Sequence, residues 1–349
     1  MKQPLLLLSF LLPALCVAQR WEPQTSHTEA NFRAVSAASA NVVWVGGSGG
    51  TFVRTTDGGK TWTPGHVSGA ETCDFRDVQA IDAQTAYLMA AGPAEKGQAR
   101  IYKTVTGGQS WTMVYETRQP GVFFDSMDFS NPQAGTVMSD PVNGKWFIIQ
   151  TQDGGASWQQ ILPDNLPALQ TGEAAFAASG SSLVRRGSRI WIGSGGGKAG
   201  AGRVFFSQNG GQSWDVSRTP IFAGPTAGIF GLWFDASGQR GMAVGGDYKA
   251  ETAPAITVSI SSDAGRTWQI GGAVTPPGLK EGIGQLADGQ MIAVGPSGST
   301  ISHDFGISWQ LIDRSGFHAI SCVGGQCWAV GAKGVIAVLL PSTKANGNE

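Results

Sequence analysis

The sequence predicts an all-β chain folded as a seven-bladed β-propeller. Three observations predict it: an eight-residue pattern that occurs six times, a spacing that matches one four-stranded blade, and a tryptophan near the start that supplies the missing strand of a seventh. The pattern is S/T-x-D-x-G-x-S/T-W. It reads TTDGGKTW from Thr55, TVTGGQSW from Thr104, TQDGGASW from Thr151, SQNGGQSW from Ser207, SSDAGRTW from Ser261 and SHDFGISW from Ser302. The tryptophans at 62, 111, 158, 214, 268 and 309 set a period of 41 to 56 residues.

The chain opens as a secretory signal peptide. Lys2 precedes an apolar run over residues 4–15, and small residues at Cys16, Val17 and Ala18 place cleavage after Ala18. Lipidation of Cys16 is disfavoured because Leu15 stands where that processing needs a small residue. Beyond residue 18 no apolar run approaches the ~20 residues that span a bilayer, so a soluble exported monomer is expected. Removing residues 1–18 takes away Lys2 and no acid, leaving 23 basic against 25 acidic side chains and a formal charge of −2. That balance carries no footprint for nucleic acid or an anionic membrane.

Each box residue has a mechanical reason. The carboxylate, or the amide of Asn209, accepts hydrogen bonds from N–H groups of its own turn, the glycines permit positive φ, and the tryptophan packs between neighbouring sheets. Thr106 is the weak copy. The aspartates are therefore read as hairpin staples rather than catalytic groups. After Trp309 the strand-like runs at 318–322, 327–330 and 335–340 lack a box, and three strands alone would leave an open edge. Trp21-Glu-Pro-Gln-Thr supplies the fourth. One propeller over residues 19–341 is expected, with a flexible tail at 342–349. Cys322 and Cys327 flank Val-Gly-Gly-Gln, a hairpin turn that sets them opposite each other. A disulfide between them is expected, with Cys73 left as a small buried residue.

This motif is the Asp box of BNR-type repeats, and the preceding x-W-V-G-x-x-G, as in Val43-Trp44-Val45-Gly46 and Cys327-Trp328-Ala329-Val330-Gly331, sharpens the resemblance. The chain resembles the family of the photosystem II assembly factor Ycf48, HCF136 in plants, and its bacterial relatives. The resemblance covers nearly the whole mature chain and implies a non-catalytic propeller that binds a partner protein. Photosynthetic members bind photosystem II subunits, and no motif carries an arginine-rich binding patch over to particular residues here.

With strands lettered A to D from the channel outward, the boxes are C-to-D turns on one face and the B-to-C loops lie on the other. Those loops lengthen in the middle blades, at residues 91–99, 139–145, 194–202 and 246–255, and should wall a binding surface. Its polar candidates are Glu95, Lys96, Asp140, Lys145, Lys198, Arg203, Asp247, Tyr248 and Lys249. Aligning the inner strands gives the pairs Phe32-Arg33, Phe75-Arg76, Phe124-Asp125, Gly172-Glu173, Ile229-Phe230, Leu279-Lys280 and Phe317-His318. In that register Arg33, Arg76, Asp125, Glu173, Lys280 and His318 ring the channel mouth.

Other motifs carry little. Gly46-Gly-Ser48-Gly-Gly50 fits G-x-S-x-G but lies between two strands rather than at a strand-to-helix turn. Gly195-Gly-Gly-Lys198 lacks both the Ser or Thr and the helix of a phosphate loop. The four histidines show no metal spacing, and neither a metal nor a cofactor is expected. Two functions remain: a propeller that binds a partner protein or an extracellular ligand such as a glycan, and a glycoside hydrolase. Sialidases share the box but have six blades and an Arg-Ile-Pro segment that this chain lacks. An inverting xyloglucanase would need only a pair of carboxylates held roughly 6.5 to 9.5 Å apart, and Asp125 and Glu173 are the candidates for it.

Overall fold

The computed structural model describes residues 19–163 and 165–340. The expected signal peptide and the tail at 342–349 lie outside the described residues. Seven antiparallel sheets surround a channel. The first blade runs Phe32–Ala37, Val43–Gly47, Thr51–Thr55 and Thr63–His66, and the second Phe75–Ala80, Ala86–Ala90, Arg100–Thr104 and Thr112–Glu116. The third uses Phe124–Asn131, Ala134–Val142, Lys145–Thr151 and Gln159–Ile161. The fourth uses Leu183–Arg186, Arg189–Gly193, Gly200–Ser207 and Asp215–Ala223. The fifth and sixth follow from Ala227–Phe234 and Gly282–Gln285, and the seventh holds Ala319–Val323, Gln326–Val330 and Ile336–Leu340. Second strands such as Val43–Gly47, Ala86–Ala90 and Met291–Gly295 are buried at every residue, because neighbouring blades cover both faces. They accordingly read as continuous runs of small and apolar residues.

The ring closes as the sequence predicts. Arg20–Gln24 pairs antiparallel with Ile336–Leu340, from Arg20 opposite Leu340 to Gln24 opposite Ile336. Trp21 is buried against Phe317, ring centroids 5.2 Å apart, and its Nε1 donates to Ser299 Oγ of the sixth blade at 2.7 Å. It thus does for the last blade what a box tryptophan does elsewhere. Trp111 meets Trp44 of the first blade edge-on at 5.9 Å, and Trp158 meets Phe129 at 6.1 Å.

The boxes are staples with two clasps. In the first, Asp57 Oδ1 accepts from Thr61 N at 2.9 Å and Oδ2 accepts from the Thr61 hydroxyl at 2.6 Å. The leading hydroxyl, to which the sequence reading assigned no role, is the second clasp: Thr55 Oγ1 accepts from Gly59 N at 2.9 Å, as Thr151 does from Gly155 N at 2.8 Å and Ser302 from Gly306 N at 2.7 Å. These donors hold the carboxyls of Asp57, Asp153 and Asp304 down to about 2. In the weak copy Ser110 N donates to Thr106 Oγ1 at 3.0 Å, Thr106 Oγ1 lies 3.0 Å from Ser110 Oγ, and Gly108 N donates to Thr104 Oγ1 at 3.0 Å, so both clasps persist without the carboxylate. The fourth box position demands positive φ even where it is not glycine, at Ala264 (64°) and Phe305 (56°).

An inner strand has a free edge toward the channel, and the side chains of one blade cap the next. Ser321 Oγ accepts from Ala37 N at 3.0 Å, Ser36 Oγ from Ala80 N at 3.0 Å, and Asp77 Oδ2 from Met127 N at 2.6 Å. Asp128 Oδ2 accepts from Arg185 N at 2.6 Å. Burial pushes the Asp77 and Asp128 carboxyls above their ordinary range, and the backbone donors oppose that. Cys322 and Cys327 form a disulfide across the first hairpin of the seventh blade, and Cys73 is a buried free thiol.

Candidate functional site

Four inner strands begin with the same irregularity. A β-bulge falls between Phe32 and Ala34, between Phe75 and Asp77, between Phe124 and Ser126, and between Ile229 and Gly231. The extra residues are Arg33, Arg76, Asp125 and Phe230, and a bulged residue is turned out of the ladder. The aligned pairs therefore have a physical cause: the aromatic or aliphatic member anchors between blades and the second member is aimed at the mouth.

Two ring positions differ from the sequence register. In the sixth blade Glu281 N donates to Val294 O as His318 N donates to Val330 O, so Glu281 is the counterpart of His318 and Lys280 is the counterpart of Phe317. Lys280 occupies the slot that holds phenylalanine in four other blades. Its ammonium is fully buried, donating to Pro276 O at 3.1 Å and Ser297 Oγ at 3.0 Å, and burial lowers its pKa to about 8. The register slipped by one because Leu279-Lys280 mimics the apolar-then-charged pattern of the other blades. A slip of one residue moves a side chain to the opposite side of its strand.

The fourth blade departs further. Its inner strand is Leu183–Arg186, and Glu173 belongs to a short strand, Glu173–Ala174, paired with Gly195–Gly196. Glu173 is locked: Oε1 accepts from Ser194 Oγ at 2.6 Å and Arg203 Nε at 2.8 Å, and Oε2 accepts from Gln170 N at 2.8 Å and from Arg203 NH2. Between this lock and the inner strand, residues 175–181 lie across the channel as a strap. Ala177 O accepts from Arg76 of the second blade, Gly180 O from Ser126 of the third, and Ser181 O from Leu232 N of the fifth. Ser179 Oγ donates to Glu281 O of the sixth at 2.8 Å. The strap separates a polar well, lined by Ser36, Asp77, Asp128 and Gln285, from a cavity of about 290 Å³ at the mouth.

The mouth cavity has two unlike walls. Arg33, Arg76, Glu281 and His318 form one; Phe176, Phe230 and Tyr248 form the other, with Glu251 at its edge. Phe176 and Phe230 stack in parallel with centroids 4.1 Å apart, and Tyr248 stands edge-on to Phe176 at 6.1 Å. His318 Nδ1 lies 2.5 Å from Glu281 Oε2, and Arg33 NH1 lies 3.8 Å from Oε1. Arg76 Nε donates to Asp74 Oδ2 at 2.8 Å. Of the predicted ring, Arg33, Arg76 and His318 line this cavity, whereas Asp125 is 1% exposed beneath it.

The predicted wall is only partly loop. Residues 139–145 form a hairpin in which Ala134–Val142 pairs with Lys145–Thr151 through Asn143–Gly144, both at positive φ as a tight two-residue turn requires. Asp140 is half-buried, with Oδ1 accepting from Ala175 N at 3.1 Å, while Lys145 is exposed beside a separate cavity on the third blade. Lys198 is exposed and Arg203 is buried on Glu173. Asp247 Oδ1 accepts from Lys249 N at 2.8 Å, and among the predicted wall residues Tyr248 reaches the mouth cavity. Asp125 and Glu173, the carboxylates of the hydrolase reading, do not line it, and Glu173 at 8% exposure is saturated by its donors. No cluster of metal ligands occurs among the described residues.

Phe176, Glu251 and Glu281 escaped the sequence reading. Glu281 was in sight beside Lys280, and the small-residue run 174–182 between two boxes 56 residues apart marked an insertion without showing that it crosses the channel.

No protein family and no curated protein matches this sequence. Solved structures do match in fold. A structure of Ycf48 bound to a D1 peptide is 18% identical with a TM-score of 0.63, covering 92% of this chain and 97% of that one. Ycf48 from Cyanidioschyzon merolae is 15% identical with a TM-score of 0.67, covering 92% and 99%. The WD40 propeller domain of Doa1 is 11% identical with a TM-score of 0.60, covering 92% and 97%. At these identities the likeness is one of fold, and it is the fold that the sequence resemblance implied.

Proposed function

We infer that this chain is an exported, non-catalytic propeller that captures a segment of a partner protein at the channel mouth on the loop face. The observation that carries the reading is the mouth cavity itself. It is floored by the strap, so a segment entering it stops there, and it sets a stacked aromatic wall opposite a wall of guanidinium, imidazole and carboxylate groups. Such a pairing suits a peptide that presents an apolar side chain to one wall and backbone or polar groups to the other. The aromatic surface continues outward to Tyr248, which is 43% exposed. The matched Ycf48 structure holds a D1 peptide, which supports a peptide as the class of occupant. The signal-peptide pattern over residues 1–18 and the disulfide fit an oxidising compartment.

The test is affinity capture from the exported fraction of the source cell, with wild type beside Arg33→Glu/Arg76→Glu and Phe176→Ala. The reading expects partners that wild type retains and both variants lose. Equal recovery by all three would overturn it.

A further inference from the structure

Two consecutive anchors hold the strap beneath the aromatic wall, and they come from different blades. Asp140 Oδ1 accepts from Ala175 N at 3.1 Å, and Arg76 NH1 donates to Ala177 O at 3.3 Å. Phe176 lies between these anchors. Asp125 sits where both anchoring groups act on it, the Asp140 carboxylate from the adjoining strand of its own blade and the Arg76 guanidinium from the second blade, with Asp74 behind Arg76. It is 1% exposed, and its Oδ2 has no hydrogen-bond partner. A carboxylate that is dry and half-partnered is costly to keep charged, whereas the neutral acid is tolerated.

We propose that Asp125 is a positioning residue for the mouth: as the neutral acid it leaves Asp140 and Arg76 to hold the strap, and on losing its proton it loosens the aromatic wall. The sign follows from Coulomb's law. An ionised Asp125 attracts Arg76 away from Ala177 O and repels the Asp140 carboxylate that holds Ala175 N, so both anchors weaken together. Burial first, and then Asp140, push Asp125 well above the usual carboxylate range, with Arg76 opposing; burial also raises Asp140. The functional consequence, a mouth whose shape depends on pH, rests on the reading of the mouth as the binding surface. The movement of the strap does not.

The experiment is hydrogen exchange of the amides at 173–180 in the full-length, disulfide-bonded protein across a pH series, corrected for the intrinsic pH dependence of exchange. Infrared spectroscopy of the same samples reads the carbonyl band of a protonated carboxyl. Wild type is expected to keep that band above the pH range in which ordinary carboxyls titrate. Its strap protection should fall about tenfold, a local opening of about 1.4 kcal/mol, as the share of the band that Asp125→Asn removes disappears at higher pH. Asp125→Asn should lose one carboxyl's share of the band, the remainder belonging to Asp77, Asp128 and Asp140, and keep its protection flat. Parallel protection profiles for the two proteins, or an unchanged protonated band in Asp125→Asn, would overturn the proposal. If Asp125→Asn does not fold, Asp140→Asn keeps an acceptor for Ala175 N while removing the neighbouring charge. It should move the strap transition to lower pH, and an unmoved transition overturns the proposal as well. None of these readouts uses a ligand, so a strap that responds to pH in a protein that captures nothing would separate this inference from the proposed function.

Discussion

The two faces of the disc repeat themselves in opposite ways. On one face six box turns carry nearly the same side chains, and in each the leading hydroxyl accepts from the same glycine N–H, from Gly59 to Gly306. On the other face the bulge that opens the inner strand recurs in the backbone, yet the residue it presents changes from Arg33 to Arg76, Asp125 and Phe230, with Glu281 and His318 in the equivalent places. Where every blade needs the same hydrogen bonds, the chain repeats its chemistry. Where the backbone merely aims a side chain outward, each blade is free to differ, and a surface with unlike walls results.

The largest expected effect breaks the ring that both faces share. Deleting residues 19–27 removes the strand paired with Ile336–Leu340 and the buried Trp21, and leaves an open edge. The truncated protein should aggregate or lose its cooperative thermal transition. A monomer that melts like wild type would refute the closure.

Next comes a direct contrast of the faces. Thr151→Val leaves Gly155 N without its buried acceptor and should cost about 1–3 kcal/mol in denaturant unfolding, whereas Arg33→Ala at the mouth should cost about 0.5 kcal/mol or less. Equal costs would erase the distinction between staple and presented residue.

Lys280 gives a prediction with a defined pH window. Its pKa is lowered from 10.5 to about 8 in the folded protein, so between those values the unfolded chain binds more protons and folding stability rises with pH. The full rise is at most about 3 kcal/mol. Lys280→Met, which suits a slot that holds phenylalanine in other blades, should lose this rise, as urea titrations between about pH 8 and 10.5 would show. A variant as pH-dependent as wild type would place the titrating group elsewhere.

A second effect, with stability again rising with pH but at the acid end, belongs to the boxes. Asp57, Asp153 and Asp304 are held at about 2, below the ordinary value of 3.8. Their contribution is complete above about pH 4 and is lost as pH falls toward 2. Melting temperature should therefore drop across that interval, and less steeply in the triple Asp→Asn variant. Identical acid profiles would show that the carboxylate clasps contribute nothing.

The fold was legible because it is written in repetition. Six boxes, their spacing and Trp21 locate every blade edge, and Cys322 and Cys327 face each other across a hairpin whose turn is plain in the sequence. The mouth was legible only where a blade kept the shared pattern, as at Phe32-Arg33, Phe75-Arg76 and Phe317-His318. It was misread at Lys280 because a charged residue had entered an anchoring slot, and the neighbouring carbonyls that make this tolerable come from the Pro276 turn. It was misread at Glu173 because the insertion folds back on Ser194 and Arg203, a contact between distant segments with no local signature. The strap was hidden for the same reason: a run of alanine, serine and glycine says nothing of the four blades it touches.

Photocrosslinking decides most directly whether the varied face is the working one. A benzophenone amino acid placed at Tyr248 on the mouth, and separately at Ile307 on the box face, exposed at 43% and 67%, would be irradiated in cells exporting the protein and the adducts identified by mass spectrometry. The account predicts a discrete partner adduct from position 248 and none from 307. An adduct from 307 with none from 248 would contradict it.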